Sequence, residues 1–351
     1  MLEKVMESFG ITGEPKIFGD GHINTTYRIG SDYVLQKLNT DVFAYPHEVM
    51  DNLFAVTEHI RRKAAENGEN PARKTIEFLR TKDGAALYEG DEGTFRAYRF
   101  IDDAYTVTDE KTPEILYNAA LAIGSFQHLL ADFDAEKLFT VIPDFHNTPK
   151  RLENLRKAVA KNASGRAESV AKEIAFAESL EDIAHAVTDA IADGSAPLRV
   201  SHNDTKLNNI LLDAATGKGL CLIDLDTVMS GSYLYDFGDA MRFGASSAPE
   251  DCTDLDTVYF DLDIFEAFTK GYLETAKDVL TDREKELIFT SVILMTYECG
   301  TRFLTDYIDG DVYFKTAYPE HNLDRARNQY HLVKDMLAKR EQAEAIVKKY
   351  L

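Results

Sequence analysis

Between residues 200 and 242 the chain contains, in order, VSHNDTKLNNILLD, GLCLIDLDTV and YLYDFGDAMR. This stretch narrows the possible folds more than any other. Asp204 precedes Asn209 by five residues, and Asp224 lies in an apolar run beyond the turn Thr216-Gly217-Lys218-Gly219. Ile210-Leu211-Leu212 and the run from Leu220 to Leu225 read as a short hairpin, with residues 198–202 as the strand before it. A strand, a tight loop and a hairpin would carry two acids and a carboxamide to one edge. Phosphoryl transfer from ATP needs that set. One carboxylate orients an attacking hydroxyl and accepts its proton, while a carboxamide and a second carboxylate hold Mg²⁺ against phosphate oxygens. Asp204 is then the expected base, and Asn209 and Asp224 the expected metal ligands. Polar residues bunched in a loop also cap elements, but several chemical types recurring in order make a stronger signal.

The first hundred residues suit a small sheet with one helix. Ile17-Phe18 leads into GDGHINTTY, and the turn Gly30-Ser31-Asp32 precedes a strand from Tyr33 to Leu38. Gly19 and Gly21 would let backbone N–H groups approach a phosphate, although hairpin turns use glycine for their own reasons. Lys37 shares a strand face with Leu35 and is the expected basic contact to the α- and β-phosphates. Pro46 opens a helix with apolar Val49, Leu53, Val56 and Ile60, ending near Gly68. Glu48 and Glu58 on it are the candidate ion-pair partners of Lys37. Strands are expected over 75–81, 85–88 and 94–101. The end of the last one, from Tyr98 through Arg99 and Phe100 to Ile101, reads as a hinge whose peptide groups would meet adenine.

From Pro113 onward the pattern is helical apart from the catalytic insert. Helices are expected over 115–130, 148–159, 169–192 and 262–276. Another starts at Thr281, where Glu284 completes a capping box, and stops at Gly310. A single long helix is expected over 324–350. Asp236, two residues before Gly238, would brace the catalytic loop through backbone N–H groups, or cap a following helix. Arg302 sits among apolar neighbours, where a charge is costly unless paired or used.

Composition bounds the partners. A chain of 351 residues exceeds one ordinary core, so two lobes are expected. The net charge of −21 disfavours nucleic acid and anionic membranes. Three cysteines without paired spacing suit a reducing, cytoplasmic setting. The acidic residues 1–10 do not read as a signal peptide, and the longest apolar stretch, 287–295, is too short to span a bilayer. A monomer or weak homo-oligomer is expected.

HNDTKLNNILLD, IDLDTV and YDFGDAMRFGA together resemble the catalytic core of the aminoglycoside phosphotransferase and choline kinase superfamily. Within it they look like the N-acetylhexosamine 1-kinase group, and the likeness runs from GDGHINTTY to GTRFLTDYIDGDVYFKT. The resemblance implies an α+β, protein-kinase-like, two-lobed fold. Residues 1–101 would form a small antiparallel lobe, and residues 102–351 a mostly helical lobe carrying the site. It implies ATP- and Mg²⁺-dependent phosphorylation of the anomeric hydroxyl of an N-acetylhexosamine. Arg302 and Tyr313 would contact the sugar, with His22 and Phe243 lining its pocket. A kinase for choline, homoserine or an aminoglycoside would keep the same catalytic residues. A non-catalytic ATP-binding regulator is the third reading, which the intact Asp204, Asn209 and Asp224 disfavour.

Overall fold

The computed structural model describes residues 2–19, 24–41, 44–107 and 110–351. An amphipathic helix α1 (Leu2–Phe9) leads into strands β1 (Pro15–Ile17), β2 (Thr25–Ile29) and β3 (Tyr33–Lys37). Helix α2 (Pro46–Glu66) begins on proline, whose fixed φ suits a first turn, and precedes β4 (Phe78–Leu79), β5 (Tyr88–Gly90) and β6 (Gly93–Arg99). These six strands form one antiparallel sheet in the order β1-β2-β3-β6-β4, with β5 also on β6. The strands expected over 75–81 and 85–88 thus shorten to two and three residues.

The remainder is mostly helical. Strand β7 (Ala104–Thr106) precedes helices α3 (Pro113–Leu129), α4 (Thr148–Lys161), α5 (Ala171–Glu178) and α6 (Glu181–Ala192). Then come β8 (Arg199–Ser201), β9 (Ile210–Asp213), β10 (Gly219–Leu222) and β11 (Met229–Gly231). Five helices close the chain: α7 (Tyr233–Gly244), α8 (Leu262–Ala276), α9 (Asp282–Asp309), α10 (His321–Ala338) and α11 (Arg340–Tyr350). The helix expected over 169–192 is two helices after a 3-10 turn, and the one expected over 324–350 breaks at Lys339. The capping box at Thr281 and Glu284 forms, and Gly310 ends α9 at φ +100°, a conformation that favours glycine.

Two apolar clusters hold these parts. The smaller lies between α1 and one face of the sheet and contains Val5, Met6, Phe9, Ile29, Leu35, Phe95 and Ala97. The larger runs through the helices and takes in Val49, Met50, Leu53, Val56 and Ile60 of α2. Helix α9 is its axis. It is long and apolar enough to cross a membrane, but 89% of its most apolar window is buried within the protein. Gly238 allows α7 to lie directly against it, since a Cβ there would come within 2.4 Å of the Ser291 carbonyl oxygen. That contact brings the YDFGDAMR acids under the catalytic loop.

Candidate active site

Strand β8 pairs with β11, and β9 pairs with both β10 and β7, so residues 202–209 form a loop between two short sheets. Beneath it the fully buried Asp236 accepts from His202 N–H at 3.1 Å, Asn203 N–H at 2.8 Å and the Ser201 hydroxyl at 2.9 Å. The expected brace is therefore present. Its alternative, a helix cap, falls to Ser232, because α7 starts at Tyr233, before Asp236. His202 stitches the loop to the hairpin. Its Nδ1 accepts from Asp204 N–H at 3.3 Å, which leaves the proton on Nε2 to be donated to Ile223 O at 2.9 Å.

This scaffold gathers Asp204, Asn209 and Asp224. The Asp204 carboxylate accepts from Asn209 Nδ2 at 3.1 Å on one oxygen and from Lys206 Nζ at 2.8 Å on the other. Asn209 Nδ2 also donates to Asp204 O at 2.9 Å, and no described residue donates to its Oδ1. Asp224 has φ +58° and no side-chain hydrogen-bond partner among the described residues. It opens on the cleft, yet restricted hydration, and then the nearby Asp226 and Asp204, raise its carboxyl above the usual range. Among the described residues no group of three or more His, Cys, Asp or Glu side chains forms a complete metal cage. Two hard oxygen donors open to a phosphate chain are the number that Mg²⁺ commonly takes from a protein.

Asp226 differs. Both of its oxygens are taken, one by Arg96 of β6 and the other by Asn24 Nδ2 at 2.9 Å, and it is buried. Although strand alternation in IDLD would put Asp224 and Asp226 on one face, they do not share one. The chain leaves β10 at Leu222, turns left-handed at Asp224 and enters a 3-10 turn at Leu225.

Lys37 is a second correction. It stands on the face of Leu35, which α1 covers, and its Nζ lies 5.9 Å over the Phe95 ring. The face toward the hairpin carries Gln36 and Arg96 instead, joined at 2.7 and 2.8 Å. No ion pair links Lys37 to Glu48 or Glu58, and Glu58 is exposed. Lys37→Ala is therefore expected to leave the KM for ATP within about twofold, as for a surface side chain without partners. A tenfold rise in steady-state assays would return Lys37 to the phosphates.

The hinge expectation divides. Arg99 shares the α1 face, pairs with Glu77 at 3.4 Å, and donates its peptide N–H to Glu77 O at 2.9 Å. Phe100 N–H goes to Asp32 O at 2.8 Å. The peptide groups of Ile101 have no hydrogen-bond partner among the described residues, as an adenine edge would require. Gly19 is exposed at φ +75° with open space around it, whereas Gly21 and His22 lie outside the described residues.

On the acceptor side, Arg302 is half-buried on α9 with its guanidinium 5.5 Å over the Phe314 ring, and no described residue hydrogen-bonds or ion-pairs with it. Burial, and then Arg302, push the nearby Arg151 guanidinium below its ordinary pKa. Tyr313 is 73% exposed on a loop that Asp306 anchors through the N–H groups of Val312, Tyr313 and Phe314 at 2.8–2.9 Å. Phe243 is partly buried beneath Lys111, whose Nζ sits 4.4 Å over the ring. Sequence reasoning passed over Lys206, although an acid–x–lysine pattern was in view. It also passed over Asp239, which accepts from Thr205 N–H at 3.2 Å and pairs with Arg242.

Residues 14–268 match the model of a family described as "Phosphotransferase enzyme family". An aminoglycoside phosphotransferase from Alicyclobacillus acidocaldarius subsp. acidocaldarius DSM 446 superposes with TM-score 0.65 at 14% identity, over 98% of this chain and 97% of that one. A microcompartment-associated aminopropanol kinase gives TM-score 0.61 at 14% identity, over 97% of each chain. A Plasmodium vivax ethanolamine kinase gives 0.54 at 16%, over 90% of this chain and 82% of that one. At these identities the likeness establishes the fold, a protein-kinase-like antiparallel sheet followed by a mostly helical remainder.

Proposed function

This chain belongs to the phosphotransferase enzyme family, and from that premise we propose that it transfers the γ-phosphoryl group of ATP to the anomeric hydroxyl of an N-acetylhexosamine. Small-molecule phosphoryl transfer to an alcohol follows from the family. The sugar is the finer reading, and one observation carries it. Arg302 holds five fixed donors one helical turn from Glu298, whose partner His146 meets Asn203 O, without an acceptor among the described residues. Ring and hydroxyl oxygens or an N-acetyl carbonyl would supply acceptors, whereas the ammonium of an amino alcohol would be repelled.

In this reading Asp204 orients the sugar hydroxyl and takes its proton. An anomeric hydroxyl is more acidic than an ordinary alcohol, so orientation carries much of the task. Lys206, bound to the same carboxylate, stands where it can neutralise charge on the transferred group. Asn209 Oδ1 and the Asp224 carboxylate would hold Mg²⁺, which supplies neutralisation of charge on the phosphate oxygens. The Ile101 peptide would receive adenine, and Tyr313, already held out on its anchored loop, would meet the sugar with Phe243.

A second reading, an amino-alcohol or aminoglycoside kinase, draws on the net charge of −21, which would steer a cationic substrate toward the protein. A panel separates the two. ATP consumption would be followed with N-acetylgalactosamine, N-acetylglucosamine, ethanolamine, choline, 1-amino-2-propanol, homoserine and an aminoglycoside. Turnover confined to the cationic acceptors would overturn the sugar.

Arg302→Lys is expected to raise the KM for the N-acetylhexosamine by about one to two decades, corresponding to a charged hydrogen bond of roughly 1.5–3 kcal/mol. The KM for ATP should move by less than about twofold, because uniform loss belongs to a structural change. Equal damage to both constants would make Arg302 structural.

A further inference from the structure

His146 precedes α4 and is nearly buried, at 9% exposure. Its Nδ1 lies 3.0 Å from Glu298 Oε1 and its Nε2 lies 3.1 Å from the carbonyl oxygen of Asn203. A carboxylate and a carbonyl both only accept, and a neutral imidazole has a single N–H. Meeting both neighbours requires the imidazolium. Glu298 is fixed in turn, since its second oxygen accepts from the Thr148 hydroxyl at 2.6 Å.

Asn203 is the residue immediately before Asp204. It holds φ +65°, a left-handed conformation that L side chains adopt uncommonly, asparagine more readily than most, and that its surroundings here hold in place. Its N–H donates to Asp236 Oδ1 at 2.8 Å, and its side-chain amide donates to Ser201 O and Thr227 O at 3.1 and 2.9 Å. Those bonds leave its carbonyl to His146. The same peptide unit carries Asp204 N–H, bound to His202 Nδ1 at 3.3 Å. The peptide plane entering Asp204 is therefore pinned by one histidine on each side, and its orientation sets the direction in which the Asp204 carboxylate leaves the chain.

We propose that His146 is a positioning residue for phosphoryl transfer: held by Glu298, it clamps the Asn203 carbonyl and thereby aims the Asp204 carboxylate at the acceptor hydroxyl. The proposal rests on the reading of Asp204 as the base. A buried ion pair is a weak source of stability, because the desolvation of both charges offsets their attraction, so its geometry is the better reason for its presence. The pair also lies one helical turn from Arg302, which joins the acceptor side of α9 to the catalytic loop through three side chains.

The charge on His146 fits this arrangement. Burial alone would lower its pKa, but Glu298 of α9, and more weakly Asp239 of α7, raise it above the ordinary histidine value. The rings packed on it, Phe145 at 4.5 Å and Tyr235 at 5.2 Å, carry no charge, since burial pushes the Tyr235 phenol well up. Glu298 is opposed by burial and held below the carboxylate range by His146, Thr148 and Arg302. For a raised histidine the clamp is fully present below the ordinary histidine pKa and is lost as pH rises through its elevated pKa.

The test compares the native enzyme with His146→Gln, which keeps one N–H donor and cannot titrate, and with His146→Ala/Glu298→Gln, which removes both charges together. Asp204→Asn is the control, and the acceptor is whichever member of the panel turns over fastest. The double variant is expected to lose about ten- to a hundredfold in kcat, as a misaimed reacting group does, with ADP affinity within about twofold. His146→Gln should regain most of that loss and lack the alkaline fall in kcat of the native enzyme. A double variant that binds ADP and turns over within about twofold of native overturns the proposal, as does equal loss in kcat and ADP affinity. If the double variant fails to bind ADP, His146→Gln decides alone, and an unchanged alkaline limb overturns the clamp. Near-native turnover in Asp204→Asn would overturn the base assignment and the clamp with it. A defective Asp204→Asn beside a native-like double variant overturns the clamp alone.

Discussion

Asp204→Asn is expected to lower kcat at least about a hundredfold, close to 2.7 kcal/mol of transition-state stabilisation, while ATP continues to bind. The substitution preserves shape and removes the group proposed to accept the proton. It also breaks a local symmetry. In the native loop the two carboxylate oxygens accept from two donors, Asn209 Nδ2 at 3.1 Å and Lys206 Nζ at 2.8 Å. An amide offers a single oxygen, so either the lysine or the asparagine loses its acceptor and faces an N–H₂ group. The effect should fall on the chemical step. The Asp236 bonds that shape the loop are untouched, and the groups proposed to hold the nucleotide lie elsewhere. Steady-state kinetics beside nucleotide titration calorimetry would check this, and near-native turnover would remove Asp204 from the mechanism.

Asp224→Ala should abolish Mg²⁺-supported turnover to below about a thousandth of native, since a missing ligand leaves phosphate charge uncompensated. The neighbouring acid cannot stand in. Asp226 is buried with Arg96 on one oxygen and Asn24 on the other, and freeing it would strand a buried guanidinium. Titrating Mg²⁺ against turnover in Asp224→Ala and in Asp226→Asn distinguishes the two. Metal dependence that survives in the first and vanishes in the second would move the role to Asp226.

Much of this was legible in the chain itself. HNDTKLNN, the hairpin and the brace at Asp236 are local patterns, and so are the capping box at Thr281 and the glycine stop at Gly310. The brace spans 33 to 35 positions within one continuous motif, and the others depend on residues closer together. What escaped is what distant packing decides. Alternation pairs Lys37 with Leu35 correctly, but only α1 determines which face of the sheet turns from the cleft. IDLD looks like two acids on one strand face until Asp224 turns left-handed, a conformation that an aspartate rarely adopts and its neighbours impose. His146 carried no signal in DFHNTP, because its partners stand 57 and 152 positions away. The long final helix was expected unbroken since its charge and apolar pattern continue smoothly through Lys339.

Helix α2 has a consequence for how such a chain can be recombined. Its apolar face belongs to the large cluster, which joins Phe78 on the sheet to the helices, and Asn52 donates to Phe139 O and Val228 O at 2.8 and 3.0 Å and accepts from Phe139 N–H at 2.9 Å. His59 and Lys63 on the same helix reach Asp132 at 2.9 and 2.8 Å. A chimaera joined after Ile101 would therefore import a foreign α2 into a groove cut for this one. The sheet would arrive with its own small core intact, but the helix would bring mismatched apolar surface and orphaned polar groups. The unit that can be exchanged between relatives is consequently not the first hundred residues. Helix α2 descends with the helices it packs on, and any exchange of the strands would have to recut the contact of Phe54 with Phe78 on the sheet side.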